Sequence, residues 1–316
     1  MALAQALDSP LAPREVILAL AEDQPEIACT VITTSPLLLD KDLVDLAATG
    51  GPLRRGFIAA RAGLGRGVCA ALAEVGEEST AIVLLENVNA EISRRSLSRI
   101  AERFGHCETV RRLLLERDDL PADARQTIVA HVSDALAGSH LVQMVLPQGR
   151  LERMMGEACE MAAVAIAGEV HPSELPGLIE HLRSTEKLTP ALLLHALCTG
   201  KTDFLSAAMV SLCGLDERRV RALLSSGRMH AVRALFESAG LPRDLATIFV
   251  QATLLQRQGG EMTRVENVCS RLLEICPRPQ DPDSPTAQLL DLVETLQRSG
   301  MREVARSYAQ DVLLAA

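Results

Sequence analysis

The chain has 316 residues and a formal net charge of −9, from 32 basic and 41 acidic side chains. That balance argues against a polyanion as the general partner, so nucleic-acid binding is not expected. Hydrophobic residues make up 48% of the chain but aromatics only 2%, with no tryptophan; such a supply suits thin helical layers of Leu, Ala, Val and Ile, not a base-stacking platform.

No segment approaches the roughly 20 apolar residues of a membrane helix, and the purest short run is Met161 to Gly168. Met1 to Pro10 has neither a basic region nor a signal core, so a cytoplasmic location is expected. The eight cysteines are dispersed and form no CxxC, which fits buried reduced thiols.

In chain order, residues 14–34 predict two helices separated by Asp23-Gln24-Pro25. A repeat then begins. Leu38 precedes Gly50 by twelve residues, and Leu64 precedes Gly76 by the same distance. Leu188 and Gly200, then Leu215 and Gly227, repeat it. The anchors tile: Leu38 to Leu64 is 26 residues, Leu188 to Leu215 is 27, and Leu215 to Leu241 is 26. One such pair is weak evidence; the tiling carries the weight, because a fixed period marks stacked supersecondary units.

Each anchor is followed by one apolar helical face: Leu43, Leu46 and Ala47; Cys69, Leu72 and Ala73; Leu193, Ala196 and Leu197; Val220, Leu223 and Leu224; Ala246, Phe249 and Val250. After each glycine comes a second apolar pair: Phe57-Ile58, Val83-Leu84, Ala207-Ala208 and Ala234-Leu235. The glycines are expected to end helices with φ > 0. Asp40, Thr189 and Asp216 are expected N-caps, and Pro121, Pro190 and Pro242 suit first turns. A looser third unit has its turn at Asn87 to Asn89, a face of Ile92, Leu97 and Ile100, and a break at Gly105.

A longer helix follows Pro121, and Pro147-Gln148-Gly149 marks a boundary. Residues 150–169 form a helix rich in small residues, including Gly156, Ala163 and Ala167, which would let another helix approach closely. A connecting helix covers 173–186, the second repeat block 188–258, and a further helix 262–275. Four prolines between Pro277 and Pro285 read as a linker. Beyond it, 286–298 and 301–314 predict a helical hairpin. The expected organisation is therefore 1–146 for the first repeats, 147–276 for the connecting helices and second block, and 277–316 for the linker and hairpin. No strand pattern competes, so the fold class is all-α, a helical-repeat α-solenoid with two blocks joined by a small-residue-rich segment.

Three stretches carry a family resemblance. They are Leu20-Ala21-Glu22-Asp23 through Ser35-Pro36-Leu37-Leu38 to Asp42-Leu43; Leu188-Thr189-Pro190 through His195-Ala196-Leu197-Cys198 and Gly200 to Phe204; and Ala234-Leu235-Phe236 with Ala239-Gly240-Leu241-Pro242. The chain resembles the bacterial Domain of Unknown Function family 2336 over roughly residues 14–258. The resemblance implies a HEAT-like, all-helical protein of the alphaproteobacterial type with no established catalysis, and it transfers no catalytic residue.

His195 and Cys198 are three apart and could share a metal, but two ligands are not a site, and their Leu-rich surroundings favour a core pair. His106-Cys107 invites the same reading. Gly63-Leu64-Gly65-Arg66-Gly67 lacks the Lys-Ser/Thr of a phosphate loop and reads as a tight turn. No cofactor, metal or catalytic residue is expected.

Two arginine groups are more informative. Arg95, Arg99 and Arg103 form one helical stripe, and Arg218, Arg219, Arg221, Arg228, His230 and Arg233 cluster within one repeat. Such runs are usually solvated faces with internal pairs, yet arginine forks also suit phosphate and carboxylate groups. The expected function is a non-enzymatic scaffold or adaptor that binds another protein through an extended helical surface, using these arginines and apolar anchors such as Met229. The alternative is a sensor that binds a phosphorylated small molecule or nucleotide at the second arginine cluster. The apolar face of Leu289, Leu292, Val293 and Leu296 must be buried somewhere, so a homodimer through the C-terminal helices is a further expectation.

Overall fold

The computed structural model describes residues 13–315, with side chains described at 13–260 and 263–310. Among the described residues there are α-helices and short 3-10 turns and no strand. The chain divides into two compact units, Met1–Gln148 and Gly149–Ala316.

The first unit holds α1 (Arg14–Ala21), α2 (Pro25–Thr34), α3 (Asp40–Thr49), α4 (Pro52–Ala59), α5 (Arg66–Val75), α6 (Glu78–Glu86), α7 (Arg94–Phe104), α8 (Glu108–Leu115), α9 (Ala122–Ala137) and α10 (His140–Val145). Alternate helices pack on one another. One row runs α3, α5, α7, α9; the other runs α2, α4, α6, α8. The apolar faces expected from the repeat form the core between them: Leu43, Leu46, Ala47, Cys69, Leu72, Ala73, Leu97 and Ile100 are all buried, as are Ile58 and Leu84 from the second row.

Polar bonds reinforce the rows. A helix ends with four carbonyls that lack an intrahelical partner, and here side chains from further along the chain supply donors. Arg61 donates to the carbonyls of Ile32 and Ser35 at 2.6 Å each, closing α2. Asn87 donates to those of Ala59 and Arg61 at 2.8 and 2.7 Å, closing α4. Arg103 donates to the carbonyl of Ala73 at 2.7 Å, closing α5.

The caps refine the sequence reading. Thr189 caps its helix, its hydroxyl accepting from the Leu192 N–H at 3.1 Å. Asp216 takes the N-cap position without a side-chain bond. Asp40 is the first helical residue instead; the carboxylate of Asp42 accepts from the Leu39 N–H at 3.0 Å and is itself held by Arg14. The glycines divide too. Gly200 and Gly227 have φ of +72° and +66°, as expected, but Gly50 and Gly76 do not. At those two positions a Cβ would come within 2.5 Å of the carbonyls of Leu46 and Leu72, so the requirement is close approach, not a left-handed backbone.

The second unit contains α11 (Gln148–Glu169), α12 (Leu175–Ser184), α13 (Pro190–Cys198), α14 (Thr202–Cys213), α15 (Glu217–Ser225), α16 (Met229–Ser238), α17 (Arg243–Gln256), α18 (Val265–Ile275) and α19 (Pro285–Ala315). Its centre is α13, buried at every position from Leu192 to Cys198. A helix that is apolar all round must be covered all round; α14, α17, α18 and α19 pack against it. The small residues of α11 are not spent on a long helix seam: Ala163 and Ala167 are buried, but Met154 and Met161 remain exposed.

Two expectations are corrected here. The residues expected to form a C-terminal hairpin make a single helix of 31 residues. Gly300 does not break it; a Cβ there would lie 3.2 Å from the backbone nitrogen of Glu266. The glycine lets α19 approach the start of α18; Leu289, Leu290, Val293 and Leu296 are buried where α19 packs on α18 and α13. The face of α15 is the other correction. Val220 is its one buried residue, whereas Leu223 and Leu224 are half-buried. Helix α15 packs on α14 and α16, while α17 packs directly on α13.

Gly300→Leu is expected to lower stability, although leucine is the better helix former by under about 1 kcal/mol. Forcing a side chain into the α18 contact should cost roughly 1–3 kcal/mol, read as a lower urea midpoint. A higher midpoint would show that the glycine has no packing role.

Candidate functional surfaces and clefts

The first arginine stripe lies on α7 along an open groove of about 610 Å³. The groove is lined from α5, α7 and the start of α9, including Ala70, Glu74, Arg95, Arg99, Glu102 and Asp123. Arg99 forms a fork with Glu74, at 2.7 and 2.9 Å, and also reaches Glu102 at 3.1 Å. Those bonds raise the Arg99 pKa and lower that of Glu74. Arg103 turns away to the Ala73 carbonyl, and its guanidinium sits 4.6 Å over the Phe104 ring. Two of the three arginines are therefore bound internally. Arg95 is exposed and has no polar partner among the described residues.

The second cluster does not gather at one point. Arg218 and Arg219 are exposed on α15, and Arg228 and His230 on the turn and first residues of α16. Arg221 is held by Asp203 at 3.0 Å and by Glu217 at 2.9 Å. Arg233 is half-buried, with its Nε enclosed and unpartnered.

Arg221 lies between two clefts. One, of about 420 Å³, is enclosed by the end of α13, the start of α14, α15 and the end of α17. The other, of about 330 Å³, lies between α12, α14 and α15. Asp203 and Arg221 line both.

His195 and Cys198 belong to the core of the second unit. His195 is 6% exposed and its Nδ1 has no partner. Burial pushes its pKa down to about 4, so the ring is neutral at neutral pH. Cys198 is fully buried, and its hydrogen bond with Cys269 and its burial raise its pKa. His106 is exposed, 3.7 Å from Glu78. Among the described residues no three His, Cys, Asp or Glu side chains gather as a metal site. No helix is long and apolar enough to cross a membrane, again among the described residues.

A family of uncharacterised proteins conserved in bacteria, DUF2336, matches residues 27–278. The chain belongs to this family. No curated protein and no solved structure matches the chain. The DUF2336 region takes in the groove on α7 and both clefts beside α15, whereas α19 lies beyond it.

In this DUF2336 chain, sequence reasoning missed Ser206, Gln256 and Arg257, all of which line the larger cleft. Nothing in their spacing marks them; they are brought together by α17 docking on α13.

His195 gives a pH test. Burial lowers its folded-state pKa from the ordinary histidine value of 6.5 to about 4. The unfolded chain therefore binds the proton more readily, and stability present above the unfolded value is lost as pH falls towards 4. The residue is expected to remove roughly 3 kcal/mol across that window. His195→Leu should flatten this slope, so the wild-type urea midpoint falls relative to the variant's between about pH 7 and about pH 5. Parallel slopes would show that the ring binds its proton as readily in the folded chain as in the unfolded one, so that burial does not lower its pKa.

Proposed function

We propose that this protein is a non-enzymatic, cytoplasmic, HEAT-like helical-repeat adaptor that binds another protein. The observation that carries this reading is an uncovered apolar strip where the first unit's helix rows end. On α9, Val132 and Leu136 are exposed; on α10, Leu141, Met144 and Val145 are 76%, 72% and 79% exposed. No residue of α10 is buried. Large apolar side chains left exposed close together along the chain mark an interaction surface or an aggregation liability, and each contributes about 1.5–3 kcal/mol when fully buried.

The packing of alternate helices supports the solenoid part of the reading. Stacked repeats expose successive helices as an extended surface, and the groove along α5, α7 and α9 is such a surface, with Arg95 uncommitted at its edge. The partner is expected to present apolar side chains to α10 and carboxylates to Arg95. Met229, 44% exposed on α16, offers one further apolar anchor.

The test is affinity capture from native cells with the wild-type chain and with Leu141→Glu/Met144→Glu. Both positions are exposed, so circular dichroism and melting should be unchanged. Proteins enriched by the wild type and lost with the double variant support the adaptor reading. An identical set from both would remove the α9–α10 strip as the binding surface.

A further inference from the structure

We propose that the larger cleft beside α15 is a binding site for a small amphiphilic anion, one with an apolar body and a single carboxylate or phosphate head. The inference concerns the second unit and stands apart from the adaptor reading.

The cleft exists because a row of helices is interrupted. By the repeat, α15 should pack between α13 and α17. Instead α17 packs on α13 directly, and Gln256 at its end donates to the Cys198 carbonyl at 2.9 Å. The two residues are 58 apart, against 26–30 for the corresponding bonds of the first unit. One repeat has been skipped. Helix α15 is left outside, anchored by Val220 and by the Arg221–Asp203 pair, and about 420 Å³ remains beneath it. That volume falls within the range of small-molecule sites.

The lining fixes the ligand chemistry. Leu197, Leu205, Ala222 and Leu224 form apolar walls. Ser206 lies among them, 4% exposed, and its hydroxyl has no hydrogen-bond partner among the described residues. The Oγ is not sealed from solvent; it opens on the cleft as a free polar group that a ligand oxygen can engage in place of water. The charge comes from Arg257, the residue that caps the C-terminus of α17. Its guanidinium crosses to the α15–α16 turn and packs over Gly227, where a Cβ would collide with it. Arg257 lines the cleft and has no carboxylate partner among the described residues. Arg221, on the facing wall, is already neutralised by Asp203 and Glu217. The one uncompensated charge in the lining is thus a cation beside an apolar volume. Arginine at such a site recognises a carboxylate or phosphate through paired N–H donors.

The test is calorimetric titration of the full chain with decanoate, decyl phosphate and decanol. Decanoate or decyl phosphate should bind at one site per chain, and the tighter of the two identifies the head group. Decanol, with the same body and no charge, should bind at least tenfold more weakly. Arg257→Ala should weaken the anion at least tenfold, and Ala222→Trp, which fills the cleft from an exposed position on α15, should abolish binding. Arg243→Ala, at the other end of α17, should bind as the wild type does. Circular dichroism and melting would verify that each variant is folded. Absence of saturable binding by either anion would overturn the proposal. So would decanol matching the anions, or affinities that stay within threefold in both Arg257→Ala and Ala222→Trp.

Discussion

The exposed carbonyls at the end of each helix are the constraint around which this fold is arranged. Short helices have many ends, and each end leaves carbonyls that must find donors. In the first unit, donors come from about two helices further along the chain: Arg61 for α2, Asn87 for α4 and Arg103 for α5. These bonds fix the helices along their axes, where packing of similar Leu and Ala side chains would leave the register loosely specified. Apolar burial holds the rows together; the side-chain caps set which turn faces which. The half-buried Arg61, Asn87 and Arg103 are thereby committed to architecture.

The second unit shows what happens when one helix outcompetes another for the same place. Helix α13 is apolar on every side and needs a covering as apolar as itself. Helix α17 offers Leu245, Ala246, Phe249, Val250 and Ala252, all buried. Helix α15 offers Val220, Leu223 and Leu224 on a helix that also carries Arg218, Arg219 and Arg221. Docking α15 in the row would bring its charged flanks towards the centre of the unit, where an unpaired charge is costly. Helix α17 takes the position, Gln256 replaces the shorter-range cap, and α15 remains where its arginines are solvated.

Much of this was legible in the sequence, and the failures have physical causes. The faces of α3, α5 and α7 could be read directly because leucine spacing and burial coincide there. The family resemblance was legible in the turns as well. The displacement of α15 was not, since Leu215 and Gly227 keep the repeat's spacing and only the arginine content hints that this helix cannot be buried. The break expected between residues 298 and 301 fails for a related reason. Glycine can end a helix or admit a neighbour, and the chain alone does not say which; the contact with Glu266 does. The clefts were invisible because their lining comes from positions up to 60 residues apart.

Arginine density does not by itself mark free donors. Arg99, Arg103 and Arg221 stand in the most arginine-rich stretches, yet each is satisfied by groups of the chain itself. Exchanging such a bond for one to a ligand or partner gives little net free energy, because the internal bond must first be broken. Arg95 and Arg257 have no such bond to lose, and neither does the hydroxyl of Ser206. Arg95 stands within the first unit's rows, on α7; other uncovered groups lie at the end of those rows, where α10 buries nothing, and beneath α15, which the packing of α17 on α13 leaves outside. Most polar groups between the packed helices are satisfied within the chain, so binding free energy remains available chiefly at those that are not, such as Arg95 and Arg257.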